Sequence, residues 1–235
     1  MNKDLIKIPV HIEATIIRRI NKFTVEVKIN DKTEIAYTNN TGRLTQYIKK
    51  GKKAYLIKNP KPKKTKYRIL AVEDHGEAAI IDTQIQMKAF EKALEKQLIP
   101  WLKNSRIIKR NVKVVDSVID YLIQTPQGPA LLEVKSALQR IRETTASYPD
   151  CPTKRGRKHI KQLTKHVKDG GQAIILFIAP QPKITQFKPN KQVDPKITQL
   201  LKEAQKTGVK IKAINIHYSP KTRTIKITNP NLKIN

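Results

Sequence analysis

The sequence predicts a two-domain protein of mixed architecture, with a small all-β barrel over residues 1–83 and an α/β domain over residues 84–235. Three observations predict it. Apolar and polar residues alternate in short runs across residues 11–71, the period of strands that face one core. At Asp82 and Thr83 the apolar spacing lengthens to that of a helix. Beyond residue 107, extended apolar runs alternate with helical ones, the pattern of a sheet with crossover helices.

In the first domain the runs are Ile12, Ala14 and Ile16; Phe23, Val25, Val27 and Ile29; Ala54, Leu56 and Ile57; and Tyr67, Ile69 and Ala71. Asn30-Asp31 reads as a hairpin turn. Residues 59–65 (NPKPKKT) read as a loop, because proline cannot donate to a strand ladder. Several short strands in so short a length close most simply into a barrel of the OB-fold type. In the second domain Asp82 or Thr83 caps a helix predicted to reach about Leu102, with Ile85, Ala89, Ala93, Leu94 and Leu98 at helical spacing until Pro100. Residues 107–115, 118–123 and 130–137 read as strands, the last two joined by a turn. Residues 153–168 read as a helix closed by Gly170-Gly171, and residues 173–179 as an apolar strand. Asp194-Pro195 opens a helix that Gly208 ends, and residues 209–218 return as a strand.

Forty-eight Lys and Arg against 19 Asp and Glu leave 235 residues with a net charge of +29. Such a chain attracts polyanions, so nucleic acid is the expected partner and an anionic membrane surface the weaker alternative. Charge does not separate DNA from RNA, since both display phosphates. Aromatic residues make up only 5% of the chain, which favours duplex phosphate contacts over base stacking, while Tyr37, Tyr47, Tyr55 and Tyr67 keep a single-stranded mode open to the barrel. Cys151, the lone cysteine, offers neither an internal disulfide nor a zinc-thiolate site, which predicts a reducing, cytoplasmic setting. No signal-peptide core or membrane span is visible in the sequence. The oligomeric state stays open, a dimer included.

Three constellations could carry chemistry. Asp120 is followed, after one turn, by Glu133-Val134-Lys135; residues two apart on a strand share a face, and a hairpin brings Asp120 opposite them. Two carboxylates and a lysine at a strand end suit a hard divalent cation acting on a phosphodiester, Mg2+ or Mn2+, and match the arrangement of PD-(D/E)xK nucleases. Chance also yields Glu-x-Lys in a lysine-rich chain. Glu26-Val27-Lys28 is such a case, expected to be a cross-strand surface pair. The second constellation is the helix over residues 154–168. Lys154, Lys158, Lys161, Lys165 and Lys168 line one face with no acid among them, a repulsive array that polyanion would relieve. Beside it Arg155, His159, Gln162 and His166 are either core-edge packing or a phosphate-facing edge. The third is Thr38 to Arg43 (TNNTGR), either a polar turn or a set of phosphate donors in Asn40, Thr41 and Arg43. The neighbouring loop adds Lys61, Lys63, Lys64 and Lys66.

Taken together, TNNTGR, Ser117 to Tyr121, LEVKS at Leu132 to Ser136, and above all YPDCPTKRGRKH at Tyr148 to His159 resemble the sugar fermentation stimulation protein A (SfsA) family over nearly the whole chain. The resemblance implies an N-terminal OB-fold, a C-terminal PD-(D/E)xK nuclease-like domain and DNA binding. Carried over residue by residue, it makes Asp120, Glu133 and Lys135 the nuclease-type triad, adds the Val134 backbone carbonyl as a metal ligand, turns Arg155 and His159 toward the site and counts His159 among the catalytic residues. Two departures stand beside it: Val118 replaces an arginine usual before the strand aspartate, and Asn111 replaces an upstream glutamate.

Overall fold

The computed structural model describes residues 3–59 and 65–235. After β1 (Lys3–Lys7), strands β2 (Ile12–Arg19), β3 (Thr24–Ile29), β4 (Lys32–Tyr37), β5 (Lys53–Lys58) and β6 (Tyr67–Asp74) follow in order. Their pairing runs β4-β3-β2-β5-β6 and returns through β4–β6, so five strands close into the expected OB barrel. Ile16, Val25, Val27, Ala36, Leu56 and Ile69 fill it. Asn30, at φ 51°, makes the first residue of the β3–β4 turn, a conformation asparagine tolerates. Tyr47 and Tyr55 do not serve as stacking platforms: they are 3% and 5% exposed. Tyr47 packs from a turn into the barrel core, and Tyr55 lies on the opposite face of β5 from Ala54 and Leu56, in the core that α1 covers.

The barrel continues into one large sheet. Strand β7 (Glu77–Ile80) pairs with β6 on one side and with a C-terminal strand, β15, on the other. The full path adds β8 (Arg106–Val114), β9 (Ser117–Thr125), β10 (Gly128–Ser136), β13 (Ala173–Ala179) and β15 (Lys210–Ser219) in the order β7-β15-β13-β10-β9-β8. Strands β10, β13 and β15 are parallel, and their crossovers supply α2 (Lys154–Lys168) and α3 (Pro195–Thr207). Both helices cover one face through Ile160, Leu163, Ile197 and Leu201 on Ile175, Phe177 and Ala213. Helix α1 (Thr83–Glu95) covers the other through Ala89, Phe90 and Ala93. Strand β16 (Thr224–Asn229) pairs with β15 and with β1, carrying residues 3–7 away from the barrel. A second sheet orders β11 (Gln139–Arg142), β12 (Thr145–Tyr148), β14 (Gln186–Pro189) and β17 (Lys233–Ile234).

Helix α1 stops at Glu95, not near Leu102. Gln97 turns left-handed at φ 54°, its N–H bonding the Leu94 carbonyl and that of Leu98 the Ala93 carbonyl, a Schellman close that releases the chain before Pro100. A short 3-10 turn, Pro100–Leu102, follows. The caps lie where the sequence puts them. Asp82 accepts from the N–H groups of Gln84 and Ile85, Thr153 from Gly156, and Asp194 from Ile197, while Gly208 leaves α3 at φ 108°. Among the described residues no helix is long and apolar enough to cross a membrane.

Candidate active site

Strands β9 and β10 form a hairpin whose regular register ends at Tyr121 opposite Leu132. Past that point side chains take over the ladder. The Val134 N–H donates to Asp120 Oδ2 at 2.8 Å and the Asp120 N–H to Glu133 Oε2 at 3.3 Å. The N–H and C=O of a strand residue point the same way, so the Val134 carbonyl also faces Asp120. Glu133 and Lys135 lie on the α2 side of the sheet. Lys135 Nζ and His159 Nδ1 both reach Glu133 Oε1 at 2.5 Å, and Arg155 Nε reaches His159 Nε2 at 3.4 Å. The spacing argument thus brings Asp120, Glu133 and Lys135 together, and α2 adds His159, which is 3% exposed.

The electrostatics follow from that packing. Burial, and then the charge of Glu133, push the Asp120 carboxyl up to about 6, against the Val134 N–H and the cations nearby. Burial also raises Glu133, but the hydrogen bond from His159 and the Lys135 ammonium together hold it below the ordinary carboxylate range. Among the described residues no cluster of three His, Cys, Asp or Glu side chains is placed to hold a metal ion. The donors that fit one are Asp120, Glu133 and the Val134 carbonyl. Two carboxylates suit a Mg2+-class cation, which would offset the cost that burial puts on a charged Asp120.

A cleft of about 630 Å3 opens beside His159, lined on α2 by Lys154, Arg155 and Lys158 and on the β8–β9 hairpin by Lys113 and Asp116. Asp116 is the residue that sequence reasoning missed. It meets Lys158 Nζ at 2.5 Å and accepts from Gln162 Nε2 at 2.5 Å, so the basic stripe is not free of acid; the hairpin supplies one. Its signal was a lone acid in a two-residue turn. Lys168 approaches Glu203 at 3.8 Å. Lys154, Lys161 and Lys165 are exposed and make no ion pair among the described residues. The Arg155, His159, Gln162, His166 line divides: the first two face the site, Gln162 holds the hairpin, and His166 packs over Gly171.

The barrel loop is mostly structural. Asn40, expected to offer its amide to phosphate, is 8% exposed, donates to the Ile81 carbonyl and accepts from the Gly42 N–H. Asn39 ties Asp82 and Thr83, and Arg19 holds the Gly42 and Arg43 carbonyls at 2.7 and 2.6 Å. Thr41 and Arg43 remain exposed, as does Lys66, while Lys61, Lys63 and Lys64 lie outside the described residues. Asp150, from the loop before α2, accepts the Leu44 N–H at 3.1 Å and packs on Gly42, joining the barrel to the site helix. Glu26 pairs across strands with Arg18 at 2.7 Å, and Lys28 with Asp31 at 3.2 Å, both on the surface.

Residues 17–81 match the family model described as the SfsA N-terminal OB domain, and residues 84–222 that of the sugar fermentation stimulation protein RE domain. A sugar fermentation stimulation protein homolog of Pyrococcus furiosus is 48% identical over 202 residues, covering 86% of each chain. Its counterpart from Archaeoglobus fulgidus is 38% identical over 223 residues, covering 95% of each. The structure of Pyrococcus furiosus SfsA in complex with Ca2+ superposes with a TM-score of 0.94 at 42% identity, over 99% of both chains.

Proposed function

The chain belongs to the sugar fermentation stimulation protein family, and from that premise we propose that it binds DNA, chiefly as duplex, and hydrolyses phosphodiester bonds with a divalent cation. The observation that carries this reading is the convergence of Asp120, Glu133 and Lys135 at a splayed hairpin end, beside a lysine-lined cleft. Asp120, Glu133 and the Val134 carbonyl would hold the ion. A Ca2+ complex of a relative supports a cation in this family, and Mg2+ or Mn2+ is the reading for turnover here. When bound, such an ion supplies Lewis acidity toward a phosphate oxygen and acidifies water. Lys135 offers its ammonium to charge developing on the phosphate. His159 keeps a proton on Nδ1 toward Glu133, which fixes that carboxylate's rotamer and leaves Nε2 facing Arg155. Lys154, Arg155, Lys158, Lys161 and Lys165 bind backbone phosphates, with Thr41, Arg43 and Lys66 contributing from the barrel.

Plasmid and single-stranded DNA incubated with Mg2+ or Mn2+ test this. Glu133→Gln should lower cleavage by about 100-fold or more, with binding retained. Equal cleavage by wild type and variant would overturn the assignment. One observation favours a second reading, a DNA-binding protein without turnover: Glu133 Oε1 already takes both Lys135 and His159. In that case no metal elicits cleavage while salt-sensitive binding persists. Matched RNA and DNA duplexes in the same binding assay separate an RNA partner from DNA.

A further inference from the structure

The β8–β9 turn holds two residues, Val115 and Asp116, between Val114 and Ser117. Val115 sits at φ 53°, left-handed, where such turns place Gly, Asn or Asp, and a β-branched side chain is a poor fit there. It is also 77% exposed, the most exposed large hydrophobic among the described residues, and Val118, 43% exposed, lies in the cleft wall. Strand β9 accounts for Val118, but folding gives no reason for Val115. A valine in a left-handed turn costs stability, and its side chain contributes no burial. Position gives one. Asp116 clamps the turn to α2 through Lys158 and Gln162, so the tip is fixed beside a cleft that Val118, Arg155 and His159 line. Lysines serve phosphates; a valine in the cleft wall and another at the adjoining tip have no use for a phosphate. Their match is the face of a base, and a stacked base does not offer its face.

Building on the DNA-binding reading above, we infer that the β8–β9 tip is a wedge: Val115 enters an opened base step at the cleft mouth, and the site selects DNA with an unpaired base over fully paired duplex. Apolar side chains inserted between base steps unstack them, and the cost of doing so is smallest where pairing is already broken. The residue and its strained backbone would then be kept together for function.

The test uses the whole protein in EDTA, where no metal-dependent turnover consumes the probe. Two duplexes carry 2-aminopurine, one fully paired and one beside a single unpaired base. Wild type should bind the second about tenfold more tightly and raise its fluorescence. Val115→Asn, which suits a left-handed turn, should raise Tm by about 2–4 °C yet abolish the preference and the fluorescence change, keeping its affinity for paired duplex and its salt dependence. Val115→Ile should behave as wild type in both readouts. Salt-dependent binding by wild type without fluorescence change or preference overturns the wedge and leaves the DNA-binding reading standing. Binding that is absent or flat with salt overturns both. A shift from dimer to monomer in Val115→Asn by light scattering, with the preference intact, assigns the tip to a second copy and overturns the wedge.

Discussion

Glu133 shows what a buried carboxylate needs. At 3% exposure it is tolerable only because Lys135, His159 and the Asp120 N–H all donate to it. His159 is therefore a positioning residue, and its replacement separates packing from hydrogen bonding. His159→Leu should cost about 1–3 kcal/mol of stability, since Glu133 loses a partner, and about 10–100-fold in Mn2+ affinity or cleavage rate. His159→Asn, which restores a donor, should recover most of the stability. Thermal melts and Mn2+ titration calorimetry read the two effects. Gly42 makes a steric claim at the same scale. Any Cβ there would collide with the Asp150 carboxylate, which the Leu44 N–H holds in place, so Gly42→Ala should lower stability by about 1–3 kcal/mol in a denaturant titration.

One side chain ties the start of α2 to the start of α3. The Asp194 carboxylate is wholly buried; it caps α3 at Ile197, accepts the Thr153 N–H at the start of α2 and meets Arg157 at 3.0 Å. Burial alone would raise its pKa. Arg157 and the two backbone donors outweigh burial and hold it below the ordinary carboxylate range. The unfolded chain then takes up the proton first as pH falls. This contribution is full above the unfolded value near 4 and lost as pH drops through the lower folded value. Wild type should lose stability steeply on that acid limb, while Asp194→Asn should start about 3–5 kcal/mol lower and show a shallower slope. Elements of this kind were legible in the sequence because their signals are local: Asp82, Thr153, Asp194-Pro195 and Gly208 each announce a helix end, and period-two runs announce the barrel. What escaped depends on distant partners. The short strands β11, β12, β14 and β17 have too few alternating residues to register, Gln97 is not a residue type that marks a helix end, and nothing near Asn40 reveals that Ile81 will claim its amide. The triad was readable as a spacing, whereas Asp116 became part of the site only through the fold.

Over the whole molecule, the net charge of +29 includes an exposed lysine face on α2 beside the cleft. Exposed Lys154, Lys161 and Lys165 have no acid to answer them among the described residues, so each should account for about one counterion released on binding DNA. The triple alanine variant should reduce the slope of log affinity against log salt by about 2–3 and leave Tm nearly unchanged, by fluorescence anisotropy across a salt series. Because β7 joins β15 in one sheet, strand pairing as well as the chain links the barrel to the α/β half, and phosphate contacts from both should add. The pairing of β1 with β16 has its own consequence for biosynthesis. β1 leaves the ribosome well before β16, so the nascent chain carries an unmatched strand until β16 emerges. An unpaired strand is a ready template for a wrong partner, so β1 is open to mispairing until its own partner arrives.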